Sequence, residues 1–189
     1  MLEPFGPEEV PVIMSEIFAP WIQQLGLKLE ASGPDRCSFI LPKSSDLVRE
    51  GGPGGGVICG QALAAAADTV SVFALALMRN KLRPNTTTDF SIRFLRPIPL
   101  GDVRIDVTAL SNGRRMAVSE VTFYAAGSDK PGAHATCTFA YLDAYKWPSL
   151  SDRHSWSATR IRRPFHHPDW SGSRASALRH IHHSAWFCA

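Results

Sequence analysis

Between Gly54 and Asn80 the chain reads GGGVICGQALAAAADTVSVFALALMRN, an apolar run of more than twenty positions behind a Gly-rich start. A helix that is apolar on every side belongs inside a protein or a membrane. Gln61, Asp68, Arg79 and the glycines argue against a bilayer span, because a mid-membrane Asp costs about 3 kcal/mol. The pattern predicts a buried central helix with one carboxylate, Asp68, in its middle.

The flanking patterns are shorter. Val10, Ile13, Ile17 and Trp21 recur at helical spacing behind Glu8 and Glu9, which predicts a short helix that Pro20 divides and Gly26 ends. Leu27 to Glu30 alternates apolar and polar, Gly33-Pro34-Asp35 marks a turn, and Arg36 to Leu41 returns, so a hairpin is expected. Ser44 to Gly56 reads as a loop. After the break at Pro84-Asn85, four strand-like runs follow: 86–95, 103–111, 116–124 and 134–144. Val103, Ile105, Val107 and Ala109 share one face of the second run. Asn112-Gly113 is a strong two-residue hairpin signal before the third. The order predicts an α+β fold, an antiparallel sheet wrapped around one long central helix. A helix apolar all round needs more cover than one sheet face provides, so a second copy of the chain is expected against it.

Composition changes the picture mainly at the C-terminal end. The chain has 189 residues, 44% of them hydrophobic, and a net charge of +3. From residue 145 onward seven basic residues face two acids, so that segment carries +5 and the first 144 residues carry −2. The basic character belongs to the tail, and the body gives no reason to expect nucleic-acid binding. The division expected is a domain over 1–144 and a basic His/Trp/Arg/Ser-rich tail over 145–189, poorly ordered or loosely attached. Its histidines (His166-His167 and the group from His180 to His183) lack acidic partners and a compact scaffold, so no metal site is expected. Cys37, Cys59, Cys137 and Cys188 have no paired short spacing, which predicts neither a disulfide framework nor zinc. With acids and prolines at the N-terminus instead of a secretory signal, a cytoplasmic setting without membrane attachment is expected.

Four stretches resemble one family. Gly55-Gly56-Val57-Ile58-Cys59-Gly60-Gln61 leading into Ala65-Ala66-Ala67-Asp68-Thr69 is similar to the helix signature of hot-dog-fold acyl-CoA thioesterases of the phenylacetate-pathway (PaaI-like) group. Residues 86–97 resemble that group's following strand, 112–118 its hairpin, and 134–139 its last strand, all in the expected order. The family's usual His-Gly-Gly triplet falls on Cys59-Gly60-Gln61, where one glycine is kept. The resemblance implies a hot-dog fold and hydrolysis of an acyl-CoA thioester, without metal or redox cofactor, in a homodimer or a dimer of dimers.

The chemistry suits these residues. A thioester carbonyl under attack develops negative charge on oxygen, and an amide at a helix N-terminus stabilises it; Gly60 is placed for that. The resemblance assigns Asp68 as nucleophile or general base, and Thr87 as the hydroxyl that orients water. Gln61 is a candidate hydrogen-bond partner of the thioester. Arg93, Arg96, Arg114 and Arg115 are candidates for the phosphates of coenzyme A, since a guanidinium is planar and always charged. In the family the glycine and the acid that meet one substrate come from different subunits. A plain reading stands beside each: a loop-to-helix glycine, a structural carboxylate, a strand threonine, solvated arginines. The rival function is a non-catalytic acyl- or CoA-binding module of the same fold. No Gly-x-Ser-x-Gly elbow, no Asp-His pair in the helix and no phosphate loop occurs.

Overall fold

Alternation of buried and open positions builds the inner strands of the sheet, and a long run of small and apolar residues builds the helix laid across it. The computed structural model describes residues 4–50 and 56–142; the expected tail and the first two glycines of the central segment lie outside the described residues. In chain order come α1 (Glu9–Ile17), α2 (Pro20–Gln23), β1 (Lys28–Ser32), β2 (Arg36–Leu41), β3 (Val48–Arg49), β4 (Val57–Ile58), α3 (Gly60–Leu77), β5 (Asn85–Phe94), β6 (Val103–Asn112), β7 (Met116–Ala125) and β8 (Pro131–Tyr141). Six strands form one antiparallel sheet in the order β1-β2-β6-β7-β8-β5. Val103, Ile105, Val107, Val121, Phe123 and Phe139 are fully buried on its inner face against α3. This is the expected hot-dog arrangement.

The four late strands are consecutive in sequence but not in space. β5 pairs with β8 and forms one edge of the sheet. Pro97, Pro99 and Gly101 lie in a connection too long for a tight hairpin, and it carries the chain to the far side of β7 and β8. The β6–β7 hairpin also differs from the expected Asn112-Gly113 turn. Asn112 is still paired, with Ala117, and the turn runs over residues 113–115. The Asn112 amide is used in tertiary contacts instead. Its Nδ2 donates to the Leu75 carbonyl at 3.0 Å, and its Oδ1 accepts from the Tyr141 hydroxyl at 2.6 Å.

The central helix begins at Gly60 because Val57 and Ile58 are extended and Cys59 caps with β-region angles. It ends through Asn80, which takes the left-handed conformation (φ 48°). The Asn80 amide then donates to Leu77 O at 3.1 Å and the Lys81 amide to Ala76 O at 2.9 Å, satisfying the last carbonyls of the helix. By length and composition the helix is long and apolar enough to cross a bilayer, yet most of it is covered by the surrounding domain.

Part of the extra cover that α3 requires comes from the same chain. Phe73 is buried between Phe5, whose ring stacks 6.5 Å away, and Phe18 at 5.2 Å. α1 and α2, divided at Pro20 as expected, contribute Val10, Ile13 and Ile22 to the same core. On the sheet side, Ser119 donates to Ser71 Oγ at 2.9 Å and Ser71 donates to Ala67 O at 2.8 Å, so a buried pair of hydroxyls ties the helix to β7. One stripe at helical spacing stays incompletely covered: Gln61 is exposed, and Ala64, Ala65, Asp68 and Val72 are half-buried.

Candidate active site

Asp68 lies on that open stripe and meets β5. Thr87 Oγ1 donates to Asp68 Oδ1 at 2.7 Å. Register explains how the threonine reaches the helix. Thr87 stands opposite the buried Phe139, but Asp89 stands opposite Thr138, so Thr88 is an extra residue in β5. Beyond this bulge Phe90, Ile92 and Phe94 pair with the buried Cys137, Ala135 and Ala133. Successive strand residues point to opposite faces. Without the surplus residue, Thr87 and the Phe90–Ile92–Phe94 series would lie on opposite sides of the sheet.

A cleft of about 370 Å³ opens beside the carboxylate. Ile13, Ile17, Phe18 and Val72 supply its apolar wall, while Asp68, Arg83, Asn85, Thr86 and Thr87 supply its polar groups. Among the described residues no ion pair is formed by Asp68, although Arg83 lines the same cleft. The second carboxylate oxygen is left for a ligand. Cys137 lies behind Asp68 on the buried side. Burial pushes its thiol up to about 11, hydrogen bonding to Ser71 pulls it down, and the Asp68 charge raises it again. It stays protonated at neutral pH and is no nucleophile.

Gly60 is the first residue of α3, so its amide and the next two have no partner within the helix. The Phe94 ring covers it: a methyl group on Gly60 would stand 2.8 Å from Phe94 Cζ. Gly60 and Asp68 are eight positions apart on one continuous helix, a rise of about 12 Å, and within one chain they do not converge on one atom. Gln61 is exposed beside Gly60. The candidate arginines divide. Arg93 and Arg96 are exposed at the end of β5, with Arg96 Nη1 donating to Pro131 O at 2.7 Å. Arg114 and Arg115 lie in the β6–β7 turn at the opposite end of the strand, where the Arg115 carbonyl accepts from the Tyr141 amide at 2.8 Å. The cleft wall from α1 was not among the sequence candidates, since its apolar positions read as ordinary core.

Comparison with known proteins agrees with this architecture. Residues 45–140 match the model of the family described as acyl-CoA thioesterase N-terminal domain. A conserved protein of Pseudomonas aeruginosa is 26% identical, with a TM-score of 0.58 over 68% of this chain and 98% of its own. A thioesterase of Haemophilus influenzae is 21% identical, with a TM-score of 0.64 over 77% of this chain and 98% of its own. Thioesterase superfamily member 2 of zebra fish shares the fold at 18% identity, with a TM-score of 0.62 over 73% of this chain and 99% of its own. No curated protein sequence matches. With the family model spanning α3 and the four strands after it, this chain belongs to the acyl-CoA thioesterase N-terminal domain family.

Proposed function

We propose that the protein hydrolyses an acyl-CoA thioester to free acid and coenzyme A, as a cytoplasmic homodimer or dimer of dimers of the PaaI-like group, without metal or redox cofactor. The observation that carries this reading is the Asp68 carboxylate, fixed by Thr87 at the edge of a cleft with an apolar wall and in no ion pair among the described residues. Thr87 occupies one carboxylate oxygen, and the other accepts a proton from water as the water oxygen bonds to the thioester carbon. The carbonyl electron pair moves onto oxygen, where the Gly60 amide of the partner subunit receives it, with Gln61 beside it. On collapse the C–S bond breaks and the departing sulfur takes up the proton.

The second subunit is supported by geometry within one chain. Gly60 and Asp68 are too far apart along α3 to share a carbonyl. Among the described residues β5 has a free edge and no buried residue, and its neighbouring helix stripe is half-covered. A free strand edge beside an incompletely covered helix is what another copy would pair with and bury.

Incubation with a panel of acyl-CoAs, read by release of free thiol, tests the reading. Turnover of at least one member is expected. Binding of acyl-CoA with no thiol release from any of them would instead establish the acyl-binding module. The role of Thr87 has its own test. A hydrogen bond to a charged group is worth about 1.5–3 kcal/mol, less at this exposed position, so Thr87→Val should lower kcat about tenfold. KM and melting temperature should hardly move, and Thr87→Ser should restore the rate. Unchanged turnover in the valine variant would remove Thr87 from the mechanism.

A further inference from the structure

A second cleft, of about 480 Å³, is lined by Arg79, Lys81, Arg83, Gly113 and Arg114. Among the described residues that line it, four are cationic and none is acidic. They come from two places far apart in sequence, the segment after α3 and the β6–β7 turn. Arg83 joins them. Its Nη2 donates to Arg114 O at 2.6 Å, its Nη1 to Gly113 O at 3.3 Å, and its guanidinium lies 3.6 Å over the Tyr141 ring. The left-handed turn at Asn80 fixes the backbone that carries Arg79 and Lys81. Burial pushes the Tyr141 phenol up, and the charges of Arg83 and Arg79 pull against it, so both cations act on the same spot. Arg83 also lines the cleft that holds Asp68 and Thr87. The two clefts therefore share a wall.

Basic residues near a helix C-terminus also complement its dipole. That accounts for Arg79 alone or Lys81 alone. It does not account for Arg83 and Arg114, which belong to other segments and line the same recess. Arg79, Lys81 and Arg114 are exposed and have no ion-pair partner among the described residues. Arg79, Lys81 and Arg114 held together repel one another unless an anion joins them.

We propose that this cleft binds the phosphate-bearing end of the substrate's carrier while the acyl thioester lies beside Asp68. Arg79 and Lys81 are then specificity-determining residues in addition to the turn arginine Arg114. The proposal rests on the thioesterase reading for the identity of the carrier, coenzyme A. Arg93 and Arg96 line neither cleft.

The test uses coenzyme A without an acyl group and pantetheine, which lacks every phosphate, as probes in calorimetric titrations at low salt. In Arg79→Ala/Lys81→Ala the Kd for coenzyme A should rise at least tenfold, with pantetheine binding and melting temperature unchanged. Both side chains are exposed, and Arg79→Gln/Lys81→Gln provides a milder pair should the first fold poorly. An unchanged Kd for coenzyme A, or equal weakening for both probes, overturns the proposal. So does a variant that loses activity only on acyl groups borne by an acidic carrier protein. The two readings fail separately. Coenzyme A bound in the cleft without thiol release from any acyl-CoA sinks hydrolysis alone. Wild-type turnover that is as efficient on pantetheine thioesters as on acyl-CoAs sinks the phosphate cleft alone.

Discussion

Asp68→Asn is expected to reduce thiol release by about 10²–10⁴-fold, the range that positioned general bases supply. The amide keeps the shape of the carboxylate, and its oxygen still accepts from Thr87, which now donates at 2.7 Å. What it loses is the capacity to take a proton from water. Asp68 is only half-buried and lies on the open stripe of α3, so the melting temperature should stay within a few degrees of the wild type. The measurement is single-turnover thiol release beside a thermal melt. A variant that hydrolyses at the parent rate removes Asp68 from the chemistry. A variant that is inactive because it melts early makes the carboxylate structural.

The amide of Gly60 is testable by removing one hydrogen. Gly60 is the first helical residue, Cys59 before it is extended at φ −68° and ψ 144°, and proline is accommodated after an extended residue at that helical position. Gly60→Pro therefore deletes the N–H without breaking the helix. Phe94 must be cleared, because its ring stands 2.8 Å from where a side chain would begin, so the substitution is made with Phe94→Ala and compared with Phe94→Ala alone. Loss of one oxyanion donor costs about 10²–10³ in kcat, and that loss is expected relative to the single variant. Mixing the inactive proline chain with inactive Asp68→Asn should then regain part of the activity. A mixed dimer holds one site with an intact acid on one chain and an intact amide on the other. If exchanged mixtures stay inactive, the two groups do not serve one site across two chains.

Much of this was legible in the residues, for reasons that differ by element. α3 declared itself through a run that no strand accommodates, and Asp68 through the cost of placing a carboxylate there. The alternation in β6 and β7 fixed both faces of the sheet. The position of β5 was not readable, because its pairing with β8 depends on contacts far apart in sequence, and no local pattern encodes a neighbour. Asn112 misled for a physical reason: Asn-Gly favours a tight turn, but the side-chain amide has two better partners in Leu75 and Tyr141. The basic cleft was only half visible. Arg114 stood out beside a turn, whereas Arg79 counted only against a bilayer span and Lys81 was not among the candidates.

Thr88 makes the two halves of β5 answer to different demands. A strand that kept perfect two-residue periodicity could turn its hydroxyl toward the acid, or lay Phe90 and Ile92 against the core, but it could not do both. The one unpaired position works as a phase shifter: ahead of it the strand serves reactivity, behind it cohesion. Length at this point is therefore more constrained than identity. Many side chains would be tolerated at position 88, while a missing residue would set the ends of the strand in conflict.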